Sequence, residues 1–414
     1  MTIHINRSYK SGWLLLAVAA VFIFQSACKK DDISGAPMVT GLRAISPAPN
    51  DSMLSQVVPG QVVVIKGKNF NNLQQVFFDG YPVSVNTALN TSSTMIMTVP
   101  AGIIFTEVAP EDLNTIKVVT GYGSTVYKFS VVPPPAVISS ISNEFAPGGD
   151  TITLKGRYLY TIQKVIFPGG KEVSTGIVSN PEGTSMQVVV PANITTGVDD
   201  SIAVVTAGGV GKAAFYNTFG TLANFEWGDA HFGWQYWGGI NTGDASSFPG
   251  NTGNYIEIKP ALLPINPGDG SWYADNRAVM VDSSAWAGVN TGDPVTNYAL
   301  KFEMSVKGVW TTGSLMIAIN GNFNYLARYA PWEQAPGGQF TAQHWITVTI
   351  PLDKFLKNAG GSYDGSGTPA ATVSVLTGGA PGETIQIMLY NDGDTPITAF
   401  DAAFDNVRVV KINP

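Results

Sequence analysis

The chain has 414 residues, with 23 Lys or Arg, 30 Asp or Glu, and a net charge of −7 at pH 7. Binding to nucleic acid would require a basic patch or stripe, so this balance argues against such a partner. Charged residues make up only 13%, whereas Gly and Pro number 45 and 26. This composition favours strands and turns over helices. The length suffices for two or three hydrophobic cores.

The N-terminus has the layout of a secretory signal peptide. Arg7 and Lys10 precede the apolar run WLLLAVAAVFIF at 13–24, which is too short to cross a bilayer as a helix. Ser26 and Ala27 then lead to Cys28, the only cysteine in the chain. We therefore assign residues 1–27 to a signal peptide, and its removal would leave a net charge of −9 without a disulfide. A buried thiol or an uncleaved anchor is the alternative.

The stretch QSACKKDD, residues 25–32, resembles the lipobox of bacterial lipoproteins, whose cysteine is acylated and begins the mature protein. Gln25 departs from that pattern, which more often has leucine. The resemblance implies lipidation at Cys28, and each buried acyl CH₂ would contribute roughly 0.8 kcal/mol to membrane anchoring. The residues KKDD at 29–32 resemble the surface-export signal of Bacteroidetes lipoproteins, although a solvated linker has the same composition. We expect residues 28–36 to be a lipidated linker.

Two stretches about 90 residues apart repeat one pattern. VVVIKGKNFNNLQQVFFDG at 62–80 matches TITLKGRYLYTIQKVIFPG at 151–169, including Gly67 with Gly156 and Gly80 with Gly169. The match continues through two later segments of each copy. Short strands and Gly/Pro turns at this period predict two tandem β-sandwiches. The conserved spacing of Gly67 and Gly156 indicates either a positive φ or a close backbone approach.

Both copies resemble the IPT/TIG immunoglobulin-like domain, on the residues PGQVVVIKGKNF and PGGDTITLKGRYL and the later VP. The resemblance implies an IPT/TIG domain at 37–134 and a second at 135–220, with structural glycines and apolar residues. Between them lies VVPPPA at 131–136, which we expect to be stiff.

The composition changes after residue 220, because all eight tryptophans that follow Trp13 lie in 221–414. Apolar and polar residues alternate in LKFEMSV at 300–306 and in WITVTI at 345–350. This alternation predicts antiparallel strands with one buried face. TIQIMLY at 384–390 and FDNVRVV at 404–410 indicate further strands. We therefore predict an all-β chain whose last unit, 221–414, is a larger, jelly-roll-like sandwich.

Aromatic residues cluster in or beside Gly-rich stretches of this last unit. A pyranose has an apolar face that stacks on an indole and a fringe of hydroxyls that need directed hydrogen bonds. The pattern therefore indicates a sugar site. The candidate ligand-binding residues are Trp237, Trp272, Tyr273, Trp234, Trp332 and Arg328.

Each of these aromatics has a structural alternative. Trp310 and Trp345 flank clear strands and are predicted to be core residues, and Trp227 and Trp286 lean the same way. Trp237, Trp272 and Tyr273 lie among Gly, Asp, Ser and Asn, which favours binding. Trp234 and Trp332 could serve either role. Arg328 is either a sugar contact or an internal ion-pair partner. It should point away from the face of Tyr325 and Tyr329.

The whole chain resembles the surface glycan-binding lipoproteins of Bacteroidetes polysaccharide-utilisation systems. The stretch YALKFEMSVKGVW…YLARYAPW…HWITVTIPLDKF is similar to their xyloglucan-type binding domain. The resemblance implies a protein of the outer-membrane surface that has no catalytic activity or cofactor. It also implies capture of a plant-type glycan (a β-glucan, xyloglucan or mannan) for a transporter complex of the starch-utilisation type. Its platform aromatics would correspond to Trp237, Trp272 and Tyr273.

Two other functions are compatible with the sequence. A glycoside hydrolase or lyase would need two positioned carboxylates, and candidates include Glu226 and Glu333. Common hydrolase motifs are absent from the sequence. An adhesin could instead use exposed Trp and Tyr as protein-interface anchors.

Calcium is a separate question, because the stretch at 391–406 contains several aspartates. They could hold a structural Ca²⁺. Their spacing matches no EF-hand, so acidic turns are the preferred interpretation and no metal site is predicted. The candidates are Asp392, Asp394, Asp401 and Asp405.

Overall fold

The computed structural model describes residues 35–197, 200–226, 240–241, 243–244, 246–251, 253–266, 276–281, 285–319, 323–358 and 366–412. Cys28 and the predicted signal peptide lie outside this set. Within the described residues, no helix has both the length and the apolar character required to cross a membrane. The chain divides after Pro134 into two compact units, and the second unit contains two separate hydrophobic cores.

The first unit is a β-sandwich, called here the first sandwich. A three-stranded sheet in the order β1-β3-β6 packs against a four-stranded sheet in the order β5-β4-β7-β8. Leu42 and Ile65 from one sheet meet Val76 and Phe78 from the other in the core. The strands are β1 (Met38–Ala44), β2 (Gln56–Val57), β3 (Val62–Lys68), β4 (Leu73–Phe78), β5 (Tyr81–Pro82), β6 (Thr94–Thr98), β7 (Thr115–Thr120), β8 (Gly123–Lys128) and β9 (Ser130–Val131).

A second sandwich follows, with two four-stranded sheets in the orders β10-β11-β15-β14 and β13-β12-β16-β17. Its core joins Leu154 and Met186 to Val165 and Phe167. The strands are β10 (Val137–Ile141), β11 (Thr151–Arg157), β12 (Ile162–Phe167), β13 (Lys171–Val173), β14 (Val178–Ser179), β15 (Ser185–Val189), β16 (Ser201–Thr206) and β17 (Gly209–Ala214).

The predicted repeat is confirmed at the level of single strands. β3 and β11 begin 89 residues apart, as do β4 and β12, and the later pairs follow at 91 and 86. Of the two explanations for the paired glycines, close approach is correct. A Cβ on Gly67 would lie 2.0 Å from the Met38 carbonyl oxygen, and one on Gly156 would lie 1.8 Å from that of Val137. A side chain at Gly67 would separate β1 from β3, and a side chain at Gly156 would separate β10 from β11.

The remainder of the chain forms the C-terminal sandwich, and the all-β prediction is confirmed. Its strands are β18 (Thr221–Ala223), β19 (Ile240–Asn241), β20 (Ile256–Ile258), β21 (Ala278–Val281), β22 (Tyr298–Trp310), β23 (Ser314–Ile319), β24 (Tyr325–Tyr329), β25 (Phe340–Pro351), β26 (Leu356–Lys357), β27 (Ile385–Tyr390) and β28 (Ala402–Lys411). The helical segments of the described chain are α1 (Val373–Leu376) and the 3-10 turns Thr87–Leu89, Pro168–Gly170, Val295–Asn297, Pro331–Glu333, Pro336–Gly338 and Leu352–Lys354.

Two sheets enclose the C-terminal core. The path β19-β20-β28-β22-β25 forms one sheet, to which β18 adds through β28, and β21-β27-β23-β24-β26 forms the other. Leu300, Phe302 and Phe404 of the first sheet pack against Ile317 and Ile387 of the second. The four segments predicted as strands in this unit all lie in β22, β25, β27 and β28.

The outer face of the first of these sheets docks on the second sandwich through charged residues. Arg408 on β28 is 1% exposed and lies between two carboxylates. Its Nη1 donates to Glu303 Oε2 at 2.8 Å, and its Nη2 donates to Glu144 Oε2 at 2.8 Å. Glu144 belongs to the second sandwich and also pairs with Lys301. The guanidinium carbon is 5.0 Å from the centre of the Phe145 ring.

This docking corrects one expectation about β22. Alternation in LKFEMSV predicted a single buried face, but Glu303 and Ser305 are buried as well as Phe302 and Met304. Glu303 is buried because it binds Arg408, and its Oε1 accepts a hydrogen bond of 2.8 Å from Thr347 Oγ1. A strand that seemed half exposed is therefore covered on both sides.

Replacing Arg408 by Met should destabilise the second unit by about 3–5 kcal/mol, because Glu144 and Glu303 would lose their shared buried cation. Urea unfolding followed by tryptophan fluorescence would measure this, since every tryptophan after Trp13 lies in 221–414. Lys164→Met is the matched control. It removes an ion pair whose side chains are 37% and 53% exposed, and it should cost less than about 1 kcal/mol. Equal effects of the two changes would contradict the buried pairing.

Asp79 gives the first sandwich a predictable pH dependence. Burial raises the pKa of this carboxyl from 3.8 to about 6, against the hydrogen bond from the Thr115 N–H. The folded state therefore binds the proton more tightly than the unfolded state, and stability should fall as pH rises from about 4 to about 6.

Asp79→Asn should remove that loss and stabilise the first sandwich by about 2 kcal/mol at neutral pH. Asn keeps the acceptor for Thr115 and tolerates the backbone φ of 47°. Hydrogen exchange of peptides from β4 and β7, corrected for intrinsic rates, would measure the change. Glu107→Gln, at an exposed carboxyl of the same sandwich, is the control. If the stability of the Asp79→Asn variant fell with pH as much as that of the parent, Asp79 would not be the source of the pH dependence.

Candidate functional site

The predicted ligand-binding residues fall into two groups. Trp234, Trp237, Trp272 and Tyr273 lie outside the described residues, as does Trp227. Arg328 and Trp332 are described, and they lie on or just beyond β24 in the sheet that faces away from the second-sandwich docking surface.

Arg328 projects from the outer face of β24, as predicted, whereas Tyr325 and Tyr329 pack against the core. Its Nε donates to Asp392 Oδ2 at 2.6 Å, and its Nη2 lies 2.8 Å from Glu333 Oε1. Partial burial acts to lower the pKa of Arg328, but the two carboxylates outweigh it and raise the pKa. The guanidinium is therefore a fixed positive charge.

Trp332 lies beside this ion pair. β24 ends at Tyr329, and the predicted interruption at Pro331 begins the 3-10 turn Pro331–Glu333. Trp332 is half-buried against the core, and its indole N–H donates to the Gly313 carbonyl at 2.7 Å. The turn thus places Glu333 against Arg328 and fixes the indole at the border of the sheet.

Three other tryptophans are buried, as the sequence indicated. Trp310 packs against Phe400 with ring centres 5.1 Å apart. Trp345 joins Phe248 in a small separate cluster, and Trp286 donates its indole N–H to the Glu383 carbonyl at 3.1 Å. Their indoles stabilise the fold.

The described residues on either side of 267–275 are hydrogen-bonded to the end of β27, near the partner of Arg328. Asn266 donates its N–H to the Asn391 carbonyl at 2.8 Å, and Leu389 donates its N–H to the Arg277 carbonyl at 2.7 Å. Leu389 thus lies near the end of strand β27 and Asn391 follows that strand, immediately before the Asp392 that binds Arg328. The Asn391 amide also donates to the Leu263 carbonyl, at 3.1 Å, which fixes the chain before Asn266.

The described residues on either side of 227–239, Glu226 and Ile240, are paired with residues at or just before β20. Glu226 Oε1 accepts a hydrogen bond of 2.8 Å from the Asn254 N–H, and Ile240 pairs with Glu257. The N–H of Lys259, just after β20, donates to the Asn276 carbonyl at 2.8 Å. The described ends of both aromatic segments are therefore linked through one strand.

A carboxylate pair that sequence reasoning missed lies at the same strand. Burial and contact with Asp401 raise the pKa of Glu257, while hydrogen bonds from Glu257 and Lys259 hold the pKa of Asp401 low despite burial. Lys259 Nζ is 2.7 Å from Asp401 Oδ2, and Lys307 Nζ is 3.5 Å from it. The two acids are 144 positions apart in the chain, so no local pattern could indicate their meeting.

The four aspartates considered for calcium do not share one site. Asp392 pairs with Arg328 and Asp401 with Lys259, whereas Asp405 is buried near Glu303. Within the part of the chain that the structure describes, no group of three or more His, Cys, Asp or Glu side chains converges as a metal site.

Comparison with known proteins gives these features a family context. Residues 215–411 match the family model described as "Surface glycan-binding protein B xyloglucan binding domain". An "IPT/TIG domain-containing protein" of Bacteroides ovatus is 31% identical over 161 residues, which is 39% of this chain and 32% of the relative. The chain therefore aligns with only about a third of that curated relative.

Two solved structures of surface glycan-binding proteins are similar to this chain in fold or in sequence. The surface glycan-binding protein PbSGBP-B from Prevotella bryantii has a TM-score of 0.67 and 22% identity, covering 92% of this chain and 100% of that one. SGBP-B from a complex xyloglucan utilization locus in Bacteroides uniformis is 19% identical over 91% of this chain and 99% of its own. Its TM-score is 0.44, too low to carry an argument.

The all-β architecture, the Bacteroides relative and the family match agree with the resemblance found in the sequence. Residues 215–411 therefore match the xyloglucan-binding domain of surface glycan-binding protein B, and the fold of the chain is similar to that of PbSGBP-B.

Proposed function

We propose that this chain is a non-catalytic polysaccharide-binding protein of the cell surface. Its C-terminal sandwich captures a plant-type glycan, which is a β-glucan, xyloglucan or mannan. The observation that carries this proposal is the match of residues 215–411 to a xyloglucan-binding domain. The PbSGBP-B likeness adds support for the fold.

The proposed contacts are Trp237, Trp272 and Tyr273 as stacking platforms, with Trp234, Trp332 and Arg328 beside them. Indole and phenol rings provide flat, rigid surfaces for pyranose rings. The linked ends of the two segments at β20 and β27 support a common location. Asp392, which pairs with Arg328, directly follows Asn391, whose carbonyl accepts the Asn266 N–H.

Arg328 suits the hydroxyl fringe of a sugar. A guanidinium has five N–H donors, and the two carboxylates use only part of them. Because Asp392 also accepts a hydrogen bond of 3.1 Å from Ser314 Oγ, the arginine is held in place. Its other donors can then be oriented before ligand arrives, which reduces the entropy lost on binding.

The described carboxylates favour binding over hydrolysis. Glycosidases need two carboxyl groups about 5–9.5 Å apart across the scissile bond. Glu257 and Asp401 instead interact directly with each other and with Lys259, unlike two carboxyls that flank a scissile bond. Glu333 is paired with Arg328, and Glu226 accepts the N–H of Asn254.

Anchoring and partners complete the proposal. Acylation at Cys28 would hold the protein at the outer membrane, and a transporter complex of the starch-utilisation type would receive the glycan. The two sandwiches before the binding domain would act as a stalk. Single sugar sites bind weakly because ordering costs offset stacking, so many copies on one polysaccharide chain would raise the avidity.

Affinity electrophoresis of the chain without residues 1–27 tests this function. We expect gels containing xyloglucan, mixed-linkage β-glucan or galactomannan to retard the protein for at least one polymer. Trp272→Ala should abolish the retardation and Arg328→Ala should reduce it, because they remove a platform and a hydroxyl donor. Tyr122→Ala is the control, since this exposed aromatic lies in the first sandwich.

No retardation by any polymer would count against glycan capture, and release of reducing sugar would point to an enzyme. Retardation that survives Trp272→Ala would keep the function and move the platform elsewhere, with Trp332 the next candidate.

A further inference from the structure

A cleft lies where the second sandwich meets the C-terminal sandwich. Its volume is about 460 Å³, within the range of small-ligand sites, which often form at domain interfaces. β10 and β17 line one side, and the end of β28 with Ala287 and Gly288 lines the other. None of the proposed glycan contacts in the described chain, Arg328 or Trp332, borders it.

Phe219 provides an aromatic surface in this cleft. Its side chain is 65% exposed, the highest value among the described large apolar residues. The Asn217 side chain accepts the Phe219 N–H at 2.8 Å, and Val409 donates to the next carbonyl, at Gly220. The chain on both sides of the ring is therefore fixed.

Gly288 lets this ring rest against the opposite wall. A Cβ at Gly288 would lie 2.3 Å from Phe219 Cε1, so one part of the ring is supported by backbone. The remaining surface is open to solvent. An aromatic ring held in this way, yet exposed, is suited to stack on a flat ligand.

The charge of the cleft differs from that of the chain. Four basic side chains and one acid line it, whereas the chain as a whole has a net charge of −7. Arg408 is shared by Glu144 and Glu303, and Lys301 pairs with Glu144. Lys411, at the end of β28, is exposed. A concave surface lined mainly by one sign of charge attracts ligands of the opposite sign.

We propose that this cleft is a second, separate sugar site that binds an acidic pyranose, the uronate residue of a polysaccharide. Phe219 stacks on the apolar face of the ring, and Lys411 attracts its carboxylate. Ser139 and Ser140 are exposed beside them and can hydrogen-bond to its hydroxyls. The site does not depend on the neutral-glycan function proposed above.

Calorimetric titration of the chain without residues 1–27 tests this site. The probes are trigalacturonate, neutral cellotriose and inorganic phosphate. We expect trigalacturonate to bind, cellotriose to bind much more weakly, and affinity to fall as salt rises from about 20 mM to about 0.5 M. Phosphate should compete only weakly, because it cannot stack on Phe219.

Variants separate the ring from the charge. Lys411→Glu should weaken trigalacturonate binding about tenfold, and Phe219→Ala should weaken it about fivefold. Lys66→Glu and Tyr122→Ala, an exposed lysine and an exposed aromatic of the first sandwich, are the matched controls and should not change it. Retardation by a neutral polysaccharide should survive in all four variants.

Three results would overturn the proposal. The first is that trigalacturonate gives no saturable heat. The second is that phosphate displaces it fully while Phe219→Ala has no effect. The third is that Phe219→Ala or Lys411→Glu, with an unchanged unfolding midpoint, also abolishes binding of the neutral polymer. The last result would make the cleft part of the first site.

Discussion

The C-terminal sandwich depends on one buried cation, Arg408. Removing a guanidinium from water is costly unless carboxylates replace its hydration, and Glu303 and Glu144 do so here. Because Glu144 comes from the second sandwich, the interaction joins two domains into one packed unit. Burial and nearby Glu303 raise the pKa of Asp405 well above its usual range.

That docking determines which surface remains for a ligand. The sheet containing β22 and β28 contacts the second sandwich, so its outer face is used for packing. The opposite sheet carries Arg328 on its outer face, with Asp392 and Ser314 holding the guanidinium. The anchors of both aromatic segments meet on β20 and at the end of β27. The outer face of the first sheet is thus used for packing, and Arg328 lies on the outer face of the second. The residues that flank 227–239 lie at β20, which belongs to the first sheet.

Local patterns were enough to predict much of this fold. The repeat placed β3, β4 and their partners β11 and β12, because period-two alternation and turn glycines depend on neighbouring residues. Trp310 and Trp345 were correctly predicted as core from the strands beside them. The double burial of Glu303 was missed because its partners Arg408 and Thr347 lie on other strands, and because Glu144, which shares Arg408, comes from another domain. Glu257 with Asp401 was missed for the same reason. The assignment of Trp272 and Trp237 as platforms stays a prediction.

Tryptophan fluorescence during titration with a xyloglucan oligosaccharide is the most direct test of glycan capture. In the chain without residues 1–27, all tryptophans lie in 221–414, so the signal reports on the C-terminal sandwich alone. Capture by aromatic platforms predicts a saturable change in emission, with the oligosaccharide recovered at its original length. An unchanged spectrum up to millimolar sugar, or recovery of shortened oligosaccharide, would contradict a non-catalytic binding domain.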